Sequence, residues 1–457
     1  MTLVGYWATL RTSSFVRSVG VLVSGTVVSQ LVAVLALPLL TRLYSPGDFG
    51  VLAVFVALTS TLSVAACLRF DIAIPIPEGD ADGAGILLLG LLSALTISLL
   101  SAAVVLCLPS AFWVGVGQSV LLPYVFLVPI TVLLMAAYSA CQFWFVRKKR
   151  FSAIATTRVA QTIGGVASQI GGGLLGWLPL GLLVGPIVSA AAGCLGLMLN
   201  LSRSDRLLAA SRPLARAREL FVEFNRFPKY SALEALTNSA AIQVPVIAIA
   251  SLASGHEASF VFLAMYTLQA PMSLVGAAIG QVYLSEAPDH HRKASLAAFT
   301  VRVFGGLVKV GAGPLLFAAL VAPGLFPIVF GSEWGRAGVL VVWMVPWFLM
   351  QLLSSPLSMA LHVTNQQRAA LVLQVSGLVL RLGAVFLASV INVHWISEAY
   401  AVSGFVFYLL YLLVVFSAVG ACSRDVASQL RNGLPLLGTW LVAGLIFAAV
   451  AWFYANA

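Results

Sequence analysis

Charged residues are scarce in this chain: Asp, Glu, Lys and Arg make up only 9% of its 457 residues, whereas 61% are hydrophobic. A soluble domain carries about 25% charged residues, because these side chains cover much of its wetted surface. The mean hydropathy of +1.03 likewise indicates a chain with too little polar surface for a soluble domain. The composition therefore excludes an ordinary soluble protein and predicts a polytopic membrane protein.

Cysteine and recognisable catalytic motifs are also scarce. The five cysteines are isolated, without the CxxC or Cys/His spacing of a metal site. The chain lacks a Gly-rich phosphate loop ending in Lys-Ser/Thr, a nucleophile elbow and an HExxH motif. We therefore expect small buried cysteines, no metal, no cofactor and no enzymatic activity.

The net charge of +10 does not indicate a nucleic-acid partner, because the basic residues fall mostly in alternate loops. With the N-terminus inside, beside Arg11 and Arg17, the even-numbered loops are cytoplasmic. These loops hold residues 147–150, the segment 202–229, residues 290–293, Arg368, and Arg424 with Arg431. The odd loops hold almost no Lys or Arg beyond Arg42 and Arg336, as the positive-inside rule requires.

Two apolar segments near the start, 19–40 and 49–68, are separated only by a short polar turn that contains Pro46-Gly47. Each is about as long as a helix that crosses ~30 Å of hydrocarbon, so the pair predicts a transmembrane hairpin. The rest of the chain repeats this design. We predict about thirteen spans, with twelve and fourteen as alternatives: 19–40, 49–68, 84–108, 119–146, 152–176, 178–201, 231–253, 258–284, 300–326, 336–360, 368–391, 395–420 and 434–455.

One sizeable polar segment, 202–229, divides the spans into six before it and six or seven after it. Its basic and amphipathic character is typical of a linker on the inner leaflet. Equal halves around a linker predict a parallel repeat, with a binding site between the halves. We expect an N-terminal bundle at 1–201, a C-terminal bundle at 230–420 and an extra C-terminal helix within 421–457.

Several ionisable and polar residues lie inside the predicted spans, where they are costly and often functional. They are Arg158, Gln161, Thr162, Gly165 and Gln169 on one helix face, Arg302 with Lys309, Gln374 with Arg381, and Glu234 with Asn238. Two simpler interpretations remain open. Charges near span ends reach the headgroups, and Gln, Ser and Gly also mediate contacts between helices.

Cationic faces on separate helices are costly unless they line a wet cavity, so the pattern predicts a cavity that accepts a phosphate or pyrophosphate. The predicted anion ligands are Arg158, Arg302, Lys309 and Arg381, with Arg42 and Arg69 as entry or gating charges. Transport energy must come from an ion or substrate gradient, because no nucleotide-binding domain is apparent. Asp71, Glu234 and Glu286 are the candidate carriers of a coupling proton or sodium ion.

The chain resembles the Wzx-type lipid-linked oligosaccharide flippases, the polysaccharide-transport branch of the MOP superfamily. The resemblance is spread over most of the chain, although no short motif is diagnostic alone. It rests on residues 37–50 (LPLLTRLYSPGDFG), 69–71 (RFD) with Ile74-Pro75, 227–230 (FPKY), 271–274 (PMSL) with 279–282 (IGQV), and 330–334 (FGSEW).

The resemblance implies an all-α polytopic protein with two pseudo-symmetric six-helix bundles around a central cationic cavity, working by alternating access. The implied cargo is an undecaprenyl-pyrophosphate-linked O-antigen or exopolysaccharide repeat unit. It moves from the cytoplasmic to the periplasmic leaflet of a bacterial inner membrane. A polysaccharide polymerase and a chain-length regulator are candidate partners beside the membrane lipids. Such flippases commonly have twelve spans, so the segment 434–455 is a departure.

Two other functions remain open. An ion-coupled multidrug exporter of the related MATE branch uses cavity acids to bind cations, whereas this chain has more deep bases than acids. A membrane-embedded polysaccharide polymerase or ligase has a long extracytoplasmic catalytic loop, and no odd-numbered loop here is long.

Overall fold

A computed structural model describes residues 14–109, 119–202, 205, 214–253, 255–364 and 366–456. This part of the chain is helical and contains no strand. Its α-helices are α1 Ser14–Leu43, α2 Pro46–Ala66, α3 Phe70–Ala73, α4 Asp80–Cys107, α5 Leu127–Arg147, α6 Phe151–Leu174, α7 Leu180–Leu199, α8 Leu214–Glu223, α9 Ala232–Leu252, α10 Glu257–Arg292, α11 Leu296–Leu307, α12 Gly313–Phe330, α13 Gly335–Ser354, α14 Met359–Val363, α15 Gln367–Ile391, α16 Ile396–Val419 and α17 Ser423–Asn456.

Short 3₁₀ or π-helical turns join several of these helices. The 3₁₀ turns are Ser119–Tyr124, Ser332–Trp334, Ser355–Leu357 and Val393–Trp395. Two π-helical turns, Phe227–Ser231 and Val308–Ala312, lead directly into α9 and α12. A proline accompanies each π-helical turn, Pro228 within the first and Pro314 just after the second. Proline has no N–H to donate, so it interrupts the regular hydrogen-bond ladder at these places.

Eleven helical segments in the described residues are long and apolar enough to cross a membrane. The chain is therefore a multi-pass membrane protein, as predicted. The predicted span 152–176 forms helix α6, which is not among the eleven because its polar stripe lowers its hydropathy. The predicted span 258–284 lies within α10, several of whose side chains are outside the described part.

The chain forms two compact units, and the boundary between them falls inside the 37–50 motif. Unit 1 holds the described residues through Tyr44 together with Val54–Ser239, and unit 2 holds Ser45–Ala53 and the chain from Ala240 onward. The predicted division into two six-helix bundles with a linker at 202–229 and an extra helix stays a prediction.

Unit 1 is built around close contacts between α6 and its neighbours α1 and α7. The backbones of Gly172 on α6 and Gly181 on α7 approach so closely that a Cβ on either residue would overlap the other. The buried Tyr44 reaches the same place, where its hydroxyl donates to the Gln169 carbonyl at 2.6 Å. The small residues of these helices therefore serve close packing.

Unit 2 is built around α13, which packs against α10, α12 and α16. The C-terminal helix α17 includes the predicted segment 434–455 and packs along α11 and α12. Trp440 covers Gly313 so closely that a Cβ there would overlap the indole ring. The last segment is thus a packed helix of unit 2.

Candidate functional site

The helix α11 and the π-helical turn after it present one open face that carries two cations. Arg302 and Lys309 are exposed on this face, with Gly306 between them, and a Cβ on Gly306 would meet no atom within 4 Å. Other positions of this segment are closed, because Cβ atoms on Gly305 and Gly311 would overlap Gln429 and Leu352. The predicted pair Arg302 and Lys309 therefore shares an open surface within unit 2.

Lys309 has an unusual position for a charged residue. It lies in the interior of the candidate span Leu296–Phe330, and it is exposed. Neither Lys309 nor Arg302 forms an ion pair with any described residue. An unpaired ammonium group at such a depth is costly against lipid, so this face favours water or an anion.

Arg381 on α15 differs from this pair, because it is almost completely buried, with 1% of its surface exposed. Three rings surround its guanidinium: its Cζ lies 4.5 Å from the ring centre of Phe407 and 5.4 Å from those of Trp347 and Tyr408. Its Nε and Nη2 have no hydrogen-bond acceptor among the described residues. Desolvated cation–π contacts thus hold this charge inside unit 2.

The remaining contact of Arg381 is with a carbonyl that a proline sets free. Pro245 in α9 cannot donate to the carbonyl of Ala241, four residues earlier. The Nη1 of Arg381 donates to that carbonyl at 3.2 Å, and the hydroxyl of Tyr400 donates to the next carbonyl, of Ile242, at 2.9 Å. Two polar side chains from α15 and α16 therefore bind carbonyls in the turn before Pro245 of α9.

In unit 1, the polar stripe of α6 has two uses. The side chains of Gln161 and Gln169 lie over Gly193 and Gly185 of α7, where a Cβ would overlap them, so these amides are contacts between helices. Arg158 is half-buried, and its Nη1 donates to the Thr26 hydroxyl of α1 at 2.7 Å. For the two glutamines, the simpler interpretation, that polar residues in spans mediate contacts between helices, is therefore confirmed.

Arg69 and Asp71 lie at a sharp turn between α2 and α3. Leu68 and Arg69 both have left-handed backbones, at φ 49° and 61°, which is uncommon for residues other than glycine. Asp71 is buried and accepts the Ser139 hydroxyl at 2.7 Å on Oδ2, whereas its Oδ1 has no hydrogen-bond partner in the described part. The Nε of Arg69 is likewise buried without a partner.

The other predicted residues lie apart from these clusters. Arg42 is exposed in the last turn of α1, Glu234 is exposed in the first turn of α9, and Glu286 is half-buried near the end of α10. The described residues contain no group of three or more His, Cys, Asp or Glu side chains close enough to hold a metal ion.

The basic run 147–150 has a structural use. Arg147 donates to the carbonyls of Ile74, Pro77 and Glu78 and pairs with Asp80, so it fixes the loop before α4. The nearby Asp205 pairs with Arg150 at 2.8 Å. Burial by itself raises the pKa of Asp205, but hydrogen bonds from Ser202 and the Arg150 guanidinium lower that pKa overall.

The sequence reasoning missed one ionic cluster in unit 2. Arg336 at the start of α13 pairs with Glu257 of α10 at 2.9 Å and with Glu398 of α16 at 2.7 Å. Arg336 and Glu257 are 79 residues apart in sequence, and Glu398 lies on a third helix, so no local motif marks the cluster. The signal was Arg336 itself, a cation in an otherwise unbasic odd-numbered loop.

Solved structures with a similar fold include a flippase and transporters of the MOP superfamily. The inward closed conformation of the lipid II flippase MurJ matches with a TM-score of 0.69 at 10% identity, over 95% of this chain and 97% of that one. An inward-facing multidrug resistance MATE family transporter of the MOP superfamily matches at 0.54 and 15%, over 88% and 95%. A MOP superfamily transporter from Pyrococcus furiosus matches at 0.52 and 15%, over 89% and 96%. These likenesses establish the fold.

No curated protein matches this sequence. The model of the family described as polysaccharide biosynthesis protein matches residues 39–338, which is more than half of the chain. The matched region includes most of the motifs on which the predicted resemblance rests and also Arg302 and Lys309. The chain therefore has the MOP superfamily fold and belongs to the polysaccharide biosynthesis protein family.

Proposed function

We propose that this protein is a flippase for undecaprenyl-pyrophosphate-linked oligosaccharide repeat units, of the O-antigen or exopolysaccharide kind. It moves them across the bacterial inner membrane by alternating access, with its N-terminus in the cytoplasm. The family match supports a role in polysaccharide biosynthesis, and the likeness to a lipid II flippase supports a lipid-linked cargo. The proposal concerns transport, with no chemical step.

The observation that carries the proposal is the open face of Arg302 and Lys309. A lysine that is exposed and unpaired inside a candidate membrane span is stable only beside water or an anion. A pyrophosphate carries the complementary charge, and its polyprenyl tail stays in the bilayer while the group crosses. We propose that Lys309 and Arg302 bind this pyrophosphate.

The other predicted cations contribute to the same proposal in different ways. Arg158 is half-buried with a neutral partner, Thr26, so its charge is available to an anion. Arg381 is enclosed by rings, and its direct contact with the cargo requires the cage to open. Arg42 and Arg69, near helix ends, are proposed entry or gating charges. Asp71, Glu234 and Glu286 stay candidates for a coupling proton or sodium ion, and the buried Oδ1 of Asp71 has no hydrogen-bond partner in the part of the chain that the structure describes.

Two other functions are weighed against this one. A cation-exporting multidrug transporter is supported by the MATE-like fold, but the open face of α11 and the π-helical turn after it carries two bases and no acid. A polymerase or ligase lacks support in the described residues, which show no cluster of nucleophile and base on that face. A polymerase and a chain-length regulator are proposed as partners in the membrane.

Reconstituted transport tests the proposal. The purified chain is placed in proteoliposomes with a fluorescent undecaprenyl-pyrophosphate oligosaccharide, and a glycosidase outside reports which leaflet holds the glycan. We expect the protein to increase the rate of exchange between leaflets above that of empty liposomes. Protein-dependent movement of cationic drugs, with no movement of the lipid-linked glycan, would identify a multidrug exporter instead.

A further inference from the structure

Three helices of unit 2 begin at one ionic cluster, formed by Glu257, Arg336, Ser397 and Glu398. Glu257 is the first residue of α10, Arg336 is in the first turn of α13, and the other two are in the first turn of α16. Nε and Nη2 of Arg336 donate to Glu257 at 2.9 and 3.3 Å, and Nη1 pairs with Glu398 Oε1 at 2.7 Å. One guanidinium thus joins three helices at the same end.

The cluster has more negative than positive charge when both carboxylates are ionised. Glu257 and Glu398 share the single guanidinium of Arg336, and neither pairs with a second base in the described part of the chain. Two carboxylates that share one site repel each other, and this repulsion favours uptake of one proton by the pair.

The hydrogen bonds are divided unequally between the two acids. Glu257 receives two N–H groups from Arg336 and the Ser397 hydroxyl at 2.6 Å, so both of its oxygens have partners. Glu398 has only 5% of its surface exposed, and its Oε2 is buried with no hydrogen-bond partner among the described residues. An ionised oxygen without a partner in a buried place is costly, whereas bonds to the ionised form stabilise Glu257.

We propose that Glu398 is a proton-binding site, and that its protonation releases the start of α16 from Arg336. A proton cancels the excess charge with no further ligand. The site is separate from the cations proposed to bind pyrophosphate.

Other titratable residues surround this end of unit 2 without contacting the two carboxylates by any hydrogen bond or ion pair in the described part. They are Asp48, bonded to Ser45; His256, beside Gly47; Glu333, which is exposed; and His394, in the turn before α16. The elements α11, α14 and α15, which also pack on α16, carry Arg302, His362, Arg368 and Arg381. Arg381 contacts Phe407, nine residues beyond Glu398 and so about 14 Å along the helix.

Protonation changes which helices Arg336 joins. A neutral Glu398 no longer attracts the guanidinium, which stays on Glu257 through its two hydrogen bonds. Helix α16 then loses its ion pair to Arg336 and is held at this end by packing and by the Ser397 hydrogen bond to Glu257. The predicted orientation places the end outside the cytoplasm. If the protein is the proposed flippase, this release would let external acid control transport, and that step rests on the proposed function. The proton site itself does not depend on the proposed function.

Infrared difference spectroscopy of the full chain in nanodiscs tests the site. Between about pH 8 and about pH 5, buried Glu398 should gain one C=O stretching band of a protonated carboxyl group. E398Q should lose this band, and E333Q, an exposed acid at the same end, should keep it. E257Q removes the excess charge but leaves Glu398 in place, so uptake should move to lower pH by one unit or more.

The two variants keep the test decisive if E398Q does not fold, because E257Q then reports on Glu398 by itself. A band that persists in E398Q, or one that E257Q leaves at the same pH, would overturn the proton site. Transport assays in proteoliposomes, made from the same purified proteins, separate the two proposals. If wild-type protein moves no lipid-linked glycan but shows the band, the proposed function fails and the proton site stands.

Discussion

The guanidinium of Arg381 donates to the carbonyl of Ala241, which Pro245 has left without its helical partner. The contact joins α15 to the turn of α9 before Pro245, inside unit 2. Because three aromatic rings surround the same guanidinium, the side chain is held by its charge and its shape together. Arg381 is therefore first a determinant of the folded unit.

Replacing Arg381 should destabilise the protein more than replacing an exposed arginine on the same helix. We expect R381Q to lower the free energy of unfolding by about 2–5 kcal/mol, because it empties an enclosed cage and frees a buried carbonyl. R368Q, at an exposed position near the start of α15, is the matched control and should cost less than about 0.5 kcal/mol. Thermal unfolding in detergent measures both, and equal losses would contradict the structural role.

Pro245 leads to a second prediction about the contact between Arg381 and Ala241. In P245A the new N–H can donate to the Ala241 carbonyl, so the carbonyl no longer needs Arg381. The loss of stability caused by R381Q should therefore be smaller in the P245A background, by about 0.5–1.5 kcal/mol. A double-mutant cycle of unfolding free energies measures this coupling. Strict additivity would show that the hydrogen bond contributes nothing.

Lys309 should matter for transport and not for folding. Since its side chain is exposed and unpaired, K309Q should leave the unfolding temperature near that of the wild type. We expect its rate of lipid-linked glycan exchange to fall by about tenfold or more, the equivalent of about 1.4 kcal/mol in binding the charged group. K293Q, at the exposed end of α10, is the matched control and should retain its rate. Full exchange by folded K309Q would remove Lys309 from the anion site.

Two adjacent glycines of α6 should differ sharply on substitution. In G172A the new Cβ overlaps the Gly181 backbone of α7, so α6 and α7 must separate, at a cost of about 1–3 kcal/mol. In G171A the Cβ meets no atom within 4 Å, and alanine favours the helix by up to about 1 kcal/mol. Unfolding temperatures of the two variants should move in opposite directions. A similar gain in both would show that the helices lie farther apart.

These contacts show what the sequence reveals and what it does not. The long apolar runs predicted nearly all the membrane helices, and the seven-residue spacing predicted the shared face of Arg302 and Lys309. The sequence did not distinguish Arg381 from Lys309, because the cage around Arg381 comes from helices separated along the chain. Gln161 and Gln169 pack over glycines of another helix, and the Gln169 amide donates to a backbone carbonyl of that helix, so neither contact has a polar side chain that the sequence could show.

Asp205 makes the stability of unit 1 depend on pH. Its pKa is lowered in the folded protein, since hydrogen bonds and Arg150 outweigh the opposite effect of burial. A lowered folded-state pKa stabilises the protein above the ordinary aspartate pKa of about 3.9, and this stabilisation is lost as the pH falls through the folded value. Wild-type protein should thus lose more stability than D205N between about pH 5 and about pH 3. Parallel pH curves for the two proteins would contradict this role.

The leaflet that holds the lipid-linked glycan in cells without this protein tests the central claim most directly. Deletion strains are scored for polymer and for the accessibility of the undecaprenyl-pyrophosphate repeat unit to an external glycosidase. The flippase account predicts that polymer is lost and that single repeat units accumulate on the cytoplasmic face. Single units that reach the outer face without being joined would contradict it, and they would instead indicate a polymerase or ligase.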